Sequence, residues 1–380
     1  ENAAQKHGRR AVVLVDEYDK PILDNLTNPE VARAMREGLR NLYSVLKGQD
    51  AFLRFVFLTG VSKFSKVSIF SGLNNLLDIT LLPEFATICG YTDHDIDTVF
   101  APELESIDRD EIRNWYNGYS WLGERMYNPF DILLLFRTRE FRSWWFETGT
   151  PTFLVNWLKE KNFFTPSLEK TFGDDELLSA FDVDYIRPEA MLWQTGYLTI
   201  KEHQTTPAGP VYFLKVPNHE IRTAFNQSLL SVFLPDHVLW KKAGLSVYEY
   251  LQDKDCNSLE THFKTLFASI PNDWYRNNPI ANYEGYYASV FYSHLAALGL
   301  NIVAEDVSNL GKCDLAVIYA DRVYLFEFKV IDREAPTGEA IKQLRIKDYA
   351  AKYRGKYADI LQIGIEFSKI KRQIVGWECV

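Results

Sequence analysis

Two apolar runs near the end of the chain, joined by only two residues, constrain its fold most strongly. Residues 313–319 and 322–330 are rich in Val, Leu, Phe and Tyr, as β-strands are. The connection Ala320-Asp321 has the length of a β-hairpin turn. Segments with helical patterns precede and follow the pair, near 283–298 and 338–353. The region therefore predicts a hairpin accompanied by helices, which is an α/β arrangement.

The register of this hairpin would bring two acidic residues together. If Tyr319 pairs with Arg322, counting back along both strands pairs Asp314 with Glu327, and directly opposed side chains project to the same face. Lys329 lies two residues beyond Glu327, so the strand period puts it on that face too. Opposed carboxylates repel each other, so the pattern predicts a bound cation, with a lysine that can position or deprotonate a water.

A simpler interpretation of Glu327 and Lys329 is a solvated strand edge with a cross-strand ion pair. The charge of the region is also open to two interpretations. The chain has 42 Lys and Arg against 51 Asp and Glu, a net charge of −9, which argues against a wholly basic nucleic-acid coat. Residues 329–372 nevertheless carry 11 basic and 6 acidic residues. That excess is typical both of a nucleic-acid contact surface and of an ordinary solvated helix face.

The spacing D-x₁₂-E-x-K resembles the PD-(D/E)XK nuclease superfamily. The helical segments Tyr-Glu-Gly-Tyr-Tyr (283–287) and Glu-Ala-Ile-Lys-Gln-Leu (339–344) extend the resemblance. One departure is that Gly-Lys-Cys, rather than a proline, precedes the first acid. The resemblance implies a restriction-endonuclease-like α/β domain that cleaves phosphodiester bonds with Mg²⁺ or Mn²⁺. It also favours the nucleic-acid interpretation of the basic excess, with DNA rather than RNA as the partner.

The same resemblance implies roles for individual residues. Asp314 and Glu327 would bind the metal ion, and Lys329 would assist the attacking water. Glu284, on the helix before the hairpin, would complete the site. The supporting residues on the following helix would be Gln343 and Tyr349.

At the other end of the chain, strand, helix and strand follow one another. Residues 11–16 form a β-branched run, residues 29–47 carry apolar side chains at helical spacing, and residues 52–59 form a second apolar run. This order predicts a βαβ unit in a parallel sheet, whose ligands bind at the carboxyl ends of the strands. Asp16-Glu17, at the end of the first strand, has the form of a Walker B element, although a plain strand-to-turn junction would give the same pattern.

The longer segment Asp-Glu-Tyr-Asp-Lys-Pro-Ile (16–22) resembles the predicted AAA-ATPase-like family of bacterial proteins. Further matching segments are Leu-Thr-Gly-Val-Ser-Lys-Phe (58–64), Trp-Tyr-Asn-Gly-Tyr (115–119), Tyr-Asn-Pro-Phe (127–130), Trp-Gln-Thr-Gly-Tyr-Leu (193–198) and Pro-Asn-His-Glu-Ile-Arg (217–222). The resemblance implies ATP as a cofactor. Asp16 would hold Mg²⁺, Glu17 would polarise the attacking water, and Thr59 would sense the γ-phosphate.

No phosphate-binding loop GxxxxGK[ST] occurs in the 380 residues. Without its backbone amides and lysine, the β- and γ-phosphates of ATP lack a cradle. We therefore expect this chain not to hydrolyse ATP by the usual route. Either the first part of the domain lies outside the sequence or the ATPase is vestigial, and the lack of strands before residue 11 favours the first.

These observations predict a multidomain α/β protein in three parts. Residues 1–90 would be the later part of an ATPase core, with a partial P-loop-type parallel α/β sheet. Residues 91–255 would form a helical lid or a winged-helix-like region, and residues 256–380 the restriction-endonuclease-like domain. The aromatic clusters at 115–121 and 144–146 are expected in the core, with base stacking as the alternative.

Other classes of protein receive no support from the sequence. The seven histidines show neither HExxH nor a metal-binding spacing with the cysteines, and no GxSxG occurs. Four scattered cysteines without a CxxC pair fit a reducing cytoplasm better than a disulfide scaffold, and Cys313 is expected in the core. No run approaches the roughly 18 apolar residues of a membrane span.

We therefore predict a cytoplasmic AAA-type ATPase fused to a metal-dependent nuclease that acts on DNA. A membrane partner is not expected, and a homo-oligomer is left open. The alternative is a nucleotide-switched nucleic-acid-binding or regulatory protein whose nuclease fold is not catalytic.

Overall fold

Most of the chain is described by the structure, which is a computed structural model. It describes residues 1–26, 28–61, 76–148, 171–179, 187–234, 237–270 and 284–380, with the single residues 154, 158, 166 and 168. The elements up to residue 215 are α1 (Asn2–His7), β1 (Ala11–Val15), α2 (Lys20–Leu23), α3 (Pro29–Lys47), β2 (Leu53–Leu58), α4 (Asp93–Thr98), α5 (Arg109–Tyr116), β3 (Asn117–Tyr119), β4 (Met126–Tyr127), α6 (Pro129–Thr138), α7 (Trp144–Thr148), β5 (Phe172–Asp174), α8 (Asp175–Ser179), α9 (Pro188–Gln194), β6 (Thr199–Thr206) and β7 (Gly209–Lys215).

The elements after residue 215 are α10 (His219–Phe233), α11 (His237–Asp253), α12 (Cys256–Ala268), α13 (Glu284–Ala297), β8 (Asn301–Ser308), β9 (Gly311–Tyr319), β10 (Arg322–Ile331), α14 (Glu339–Lys347), β11 (Asp359–Ser368) and β12 (Gln373–Cys379). The chain divides into two compact units. The first is Glu1–Arg139 with Thr171–Pro217, and the second is Glu140–Lys170 with Asn218–Val380. The three-part division at residues 90 and 255 stays a prediction.

In the first unit, β1 and β2 form a parallel pair with α3 between them in sequence, as the strand–helix–strand pattern predicts. The helix α3 begins after Asn28, whose side chain accepts a hydrogen bond from the Val31 N–H at 3.4 Å. Part of the strand pair is uncovered, because Val12, Leu14 and Phe55 are 53%, 69% and 54% exposed. A larger P-loop-type sheet around this pair stays a prediction.

The rest of the first unit contains short helices and a three-stranded antiparallel sheet in the order β5-β7-β6. Aromatic side chains from the matched segments lie in its core, among them Tyr116, Tyr119, Tyr127, Trp193 and Tyr197. For Tyr116 and Tyr119, which belong to the predicted cluster at 115–121, the core interpretation is confirmed.

The second unit is built on a five-stranded sheet in the order β12-β11-β10-β9-β8. The strands β9 and β10 form the predicted hairpin, with Tyr319 opposite Arg322 and four further pairs up to Leu315 opposite Phe326. The strands β10 and β11 run parallel, and the other neighbours run antiparallel. The sequence analysis did not predict β11 and β12.

Helices cover both faces of this sheet. On one face, Phe263 of α12 and Phe291 of α13 pack in one cluster with Phe326 and Phe328 of β10. On the other face, α14 packs with Val323 and Leu325 of the same strand. The alternation of β10 therefore sends successive side chains into two separate cores.

The helix α14 is shorter than the predicted 338–353 segment. It ends at Lys347, because Asp348 takes a left-handed conformation with φ of 41°. A 3₁₀ turn, Tyr349–Lys352, then completes the predicted segment.

The cysteines differ from the expectation of a chain without disulfides. Cys256, at the start of α12, is bonded to Cys379, at the end of β12, at a sequence separation of 123. The two cysteines come close in space because α12 packs against β12, where the rings of Phe263 and Trp377 stack. Cys89 and Cys313 are free. Within the ranges given above, the structure contains no helix long and apolar enough to cross a membrane.

Candidate functional site

Glu327 is a buried acid in the middle strand of the five-stranded sheet. Its side chain is about 1% exposed. The Oε1 atom accepts hydrogen bonds from the Lys329 Nζ at 3.2 Å and from the Gln343 Nε2. A buried carboxylate is costly unless it is paired and hydrogen-bonded, and both of these donors act on its Oε1 atom. The predicted E-x-K pair is therefore a buried contact that also includes a helix residue, not a solvated edge.

Asp314 lies on the neighbouring strand β9, one residue beyond the last pair of the hairpin ladder. Its Oδ2 atom accepts a hydrogen bond from the Phe328 N–H at 2.7 Å. The side chain is partly exposed and lines a cavity of about 160 Å³, large enough for several water molecules. Both predicted acids are thus fixed to the same short stretch of β10, residues 327–328.

Glu305 of β8 was not predicted and lines the same cavity as Asp314. Its backbone has a positive φ of 45°, which is uncommon for a residue other than glycine and concentrates at functional sites. Its carboxylate forms an ion pair with the Lys312 Nζ at 3.3 Å. A single acid in a strand of alternating polarity does not by itself indicate a functional site. The position of Glu305 next to Asp314 follows only from the pairing of β8 with β9.

Around Glu327, Gln343 and Tyr349 approach from α14 and from the 3₁₀ turn that follows it. The Gln343 Nε2 lies 3.5 Å from the Tyr349 hydroxyl. Burial raises the pKa of Tyr349, and the nearby Glu327 charge adds to this, while the Gln343 hydrogen bond opposes it. Burial, with a further contribution from Glu327, also raises the pKa of the Cys313 thiol well above its usual range. Cys313 is therefore a buried neutral thiol, as expected of a core residue.

Glu366 of β11 holds the N-terminus of α14. This buried carboxylate accepts hydrogen bonds from the N–H groups of Thr337, Glu339 and Ala340, and from the Thr337 hydroxyl at 2.9 Å. Burial alone would raise the pKa of Glu366, but the hydrogen bonds outweigh it and lower the pKa below its ordinary value. The helix that carries Gln343 is thus anchored by the strand next to β10.

The chemistry of these side chains fits part of a metal site. Carboxylate oxygens are the ligands that Mg²⁺ prefers, and Mg²⁺ is commonly held by one or two carboxylates together with waters. Within the ranges that the structure describes, no group of three or more His, Cys, Asp and Glu side chains is arranged to hold a metal ion. Glu284 is the first residue of α13, but its side chain lies outside the described residues.

In the first unit, the ends of β1 and β2 bring Asp16 and Thr59 together. The Asp16 Oδ1 accepts hydrogen bonds from the Thr59 hydroxyl and from the Glu17 N–H, the latter at 3.0 Å. Glu17 has a positive φ of 51°, so the turn after β1 is locally strained. Asp16 and Glu17 are both exposed, as acids that contact a ligand need to be.

Asp19, which was not singled out in the sequence, ties the two strand ends together. It is fully buried, and its Oδ1 accepts a hydrogen bond from the Val61 N–H at 3.2 Å. Gly60 allows this approach, because a Cβ atom there would lie 2.5 Å from the Asp19 Oδ1. The last residues of the matched segment 58–64, from 62 onward, lie outside the described residues.

Known proteins match this chain in the same two places. Residues 1–70 match the family described as Predicted AAA-ATPase, and residues 282–377 match the PD-(D/E)XK nuclease superfamily. A protein of Azotobacter chroococcum mcd 1, described as "Uncharacterized protein in vnfD 5'region", is 57% identical over 370 residues, which cover 97% of this chain and 72% of that protein. The chain belongs to this AAA-ATPase-like family with a C-terminal PD-(D/E)XK nuclease superfamily domain. No solved structure matches the chain.

The nuclease-superfamily match runs from the start of α13 almost to the end of β12, so it includes every residue of the cluster around Glu327. It also includes Glu305 and Glu366, which the sequence analysis missed. The AAA-ATPase match contains Asp16, Glu17, Asp19 and Thr59. Each candidate residue named above therefore lies inside one of the two matched segments.

Proposed function

We propose that this protein is a metal-dependent nuclease that hydrolyses phosphodiester bonds of DNA. The observation that carries the proposal is the contact of Glu327 with Lys329 and Gln343, beside Asp314 on the neighbouring strand. These residues form the D-x₁₂-E-x-K pattern on the sheet of a nuclease-superfamily domain, and the hairpin ladder keeps the predicted register up to Leu315 opposite Phe326.

The chain's own residues would divide the reaction as follows. Asp314 and Glu327 would hold Mg²⁺ or Mn²⁺, with Glu284 as a further acid. A bound ion of this kind would supply a nucleophilic water at neutral pH and neutralise charge on the phosphate. Lys329 would orient or deprotonate that water from its place next to Glu327. Gln343 would fix the Glu327 carboxylate, and Tyr349 would support Gln343.

Metal binding and cleavage together test this assignment. The purified chain is titrated with Mn²⁺ in a calorimeter and is assayed on supercoiled plasmid with Mg²⁺, with Mn²⁺ and with a chelator. We expect Asp314→Asn to weaken Mn²⁺ binding and to lower cleavage by at least about 100-fold. Unchanged Mn²⁺ binding and cleavage in this variant would remove Asp314 from the site. Binding of DNA without cleavage under any metal condition would favour a non-catalytic nuclease fold, switched by nucleotide.

We further propose that the first unit contributes to an ATP site. Asp16 would hold Mg²⁺, Glu17 would polarise the attacking water, and Thr59 would sense the γ-phosphate, on a P-loop-type parallel sheet larger than the β1–β2 pair. The exposed Val12, Leu14 and Phe55 support a larger sheet, since exposed apolar faces of strands are normally covered. The phosphate-binding loop would have to come from outside the printed sequence.

For the middle region, the hairpin β6–β7 that follows α9 supports the winged-helix-like proposal.

The ATP proposal is tested by equilibrium binding of a fluorescent ATP analogue. This chain alone is expected to bind the analogue weakly and not to hydrolyse ATP. Efficient ATP hydrolysis by this chain, sensitive to Glu17→Gln, would mean that a different phosphate cradle exists.

A further inference from the structure

The solvent-facing surface of α14 carries three exposed basic side chains, with Lys342 and Arg345 adjacent on one side and Lys347 further round the helix. Among the residues that the structure describes, none of the three makes an ion pair. From this face we infer a docking surface for the phosphate backbone of duplex DNA, which we call the α14 basic face. The inference rests on the proposed nuclease function and names the element that holds its substrate.

The other basic residues of the region differ from the α14 basic face because most of them are already paired. Lys329 contacts Glu327, and Lys352 contacts the buried Asp306. The surface pairs are Arg354 with Asp348 at 2.5 Å, Lys369 with Asp332 at 3.1 Å and Lys371 with Glu334 at 3.5 Å. Three of the remaining basic residues of 329–372 therefore lie on α14, and the others, Arg333, Lys356 and Arg372, are exposed outside it.

The helix that carries this face is held rigidly against the sheet. Its inner side chains Ala340, Ile341 and Leu344 are buried. Gly364 of β11 allows close packing, because a Cβ atom there would lie 2.4 Å from the Ile341 backbone nitrogen. A preformed surface loses little entropy when it binds, so its charges are already arranged for a partner.

The α14 basic face also lies on the same helix as a residue of the candidate site. Lys347 is four residues after Gln343, and residues at that spacing lie on the same side of a helix. A phosphate held by Lys347 would therefore be close to the Gln343–Glu327 contact. Ile346, which is 65% exposed, adds an apolar side chain among the cations that can contact sugar. Repeated negative charge next to the cleaved bond is what a duplex backbone provides.

Salt-dependent binding tests the inference directly. The Glu327→Gln chain, in chelator so that no cleavage occurs, is titrated with a labelled duplex at several salt concentrations. The test variant adds K342Q, R345Q and K347Q. Each lost phosphate contact lowers the magnitude of the negative slope of log K against log salt by about 0.9, so we expect this magnitude to decrease by up to roughly 2.7. The matched control removes the same charge from paired residues, with R354Q, K369Q and K371Q, and we expect its slope to change by less than about one contact.

Several results would overturn the inference. One is an equal loss of slope in the test and control variants, because net charge alone would then explain it. Another is no loss in the test variant, or no binding of duplex by the unchanged chain. Polyaspartate that competes as well as duplex would show a general site for acidic ligands. Thermal unfolding of both variants checks that each remains folded, and Lys342→Arg with Lys347→Arg should restore binding where a fold defect would not be repaired.

Failure of this inference and failure of the nuclease proposal give different results. If duplex binding shows the expected change of slope but no metal ion gives cleavage, the α14 basic face is supported as a DNA-binding surface and the catalytic role is excluded. If cleavage depends on Asp314 but the test variant does not alter the salt dependence of duplex binding, the nuclease proposal is supported and the α14 basic face is excluded as the binding surface.

Discussion

At the scale of single residues, Glu327 shows how the candidate site is made. A carboxylate that is about 1% exposed would be strongly destabilising without partners. Lys329, two residues along the same strand, supplies an opposite charge, and Gln343 supplies a neutral donor from a helix on one face of the sheet. The arrangement leaves one lysine both close to the acid and about one-quarter exposed, so it can reach a bound water.

Replacing Lys329 should therefore affect catalysis more than stability. For Lys329→Met we expect cleavage to fall by about 10²–10⁴-fold, the usual contribution of a positioned acid–base group. Lys369→Met is the matched control, because its partner Asp332 is 78% exposed. Initial rates of plasmid nicking and thermal unfolding are measured for both variants. Equal rates in the two would exclude Lys329 from the reaction.

A second residue-scale prediction concerns two histidines in contact, His294, which is buried, and His262, which is partly buried. The Nε2 atoms of His262 and His294 lie 2.8 Å apart, so one neutral ring donates to the other. Burial lowers the pKa of His262 to about 4, and burial with the neighbouring His262 lowers the pKa of His294 to about 3. The unfolded chain binds these protons near pH 6.5 and the folded chain does not.

Stability should therefore be constant above about pH 6.5 and should fall as the pH drops towards 4, by a few kcal/mol. Urea unfolding across this pH range measures the effect. The double variant His262→Phe/His294→Phe should make the profile shallower, with a remaining slope from His219, whose pKa burial lowers to about 4. His203→Gln, at an exposed histidine, should leave the profile unchanged. An equally steep profile in the double variant would assign the pH dependence to other groups.

At the scale of elements, α14 depends on contacts that come from β11. Glu366 accepts three backbone N–H groups at the start of the helix, where an anion also interacts favourably with the helix dipole. Gly364 lies beside Glu327 in the parallel ladder and lets the helix approach. Together these two residues set the position of Gln343.

The Glu366 contact predicts the effect of one substitution. Glu366→Gln keeps the shape but loses the charge, and we expect a loss of about 1–2 kcal/mol in stability together with slower cleavage. Glu334→Gln, in a surface pair with Lys371, should cost less than about 1 kcal/mol. Because the folded pKa of Glu366 is lowered, its contribution is present above about pH 4.3 and is lost as the pH falls further. Equal stability of the two variants at pH 7 would contradict this role.

Gly364 gives a second element-scale prediction. In Gly364→Ala the new Cβ atom would meet the backbone of α14 at 2.4 Å, so the helix must shift or the chain must lose stability by about 1–3 kcal/mol. Gly38→Ala, in α3 with open space around it, should instead stabilise by up to about 1 kcal/mol. Urea unfolding and cleavage rates are compared for both. Normal cleavage by Gly364→Ala would show that Gln343 does not need this packing.

The elements differ in how well the sequence predicts them. The β9–β10 register followed from a two-residue connection, because so short a turn leaves little freedom in pairing. The strands β11 and β12 were missed, since β11 carries Gly364 at its centre and both follow a basic, turn-rich segment. Glu366 could not be found in advance, because its partners lie 26–29 residues away and meet it only in the folded sheet. Cys256 and Cys379, far apart in the chain, were missed for the same reason.

At the scale of the whole molecule, the net charge of −9 gives little guidance to the partner. Near the candidate site most basic side chains are paired with acids, and those on α14 are left exposed. The two matched segments lie at opposite ends of the chain, and each contains carboxylates of the kind that bind divalent cations. Nucleic acid and a divalent metal are therefore compatible with an acidic chain.

The central claim is that Glu327 takes part in metal-dependent phosphodiester cleavage. The most direct measurement is the rate of plasmid nicking by the purified chain in Mn²⁺, compared between Glu327→Gln and the surface control Glu334→Gln. The account predicts that the first falls by at least about 100-fold and the second stays within about twofold of the unchanged chain. Equal nicking rates in the two variants, with both folded, would contradict it.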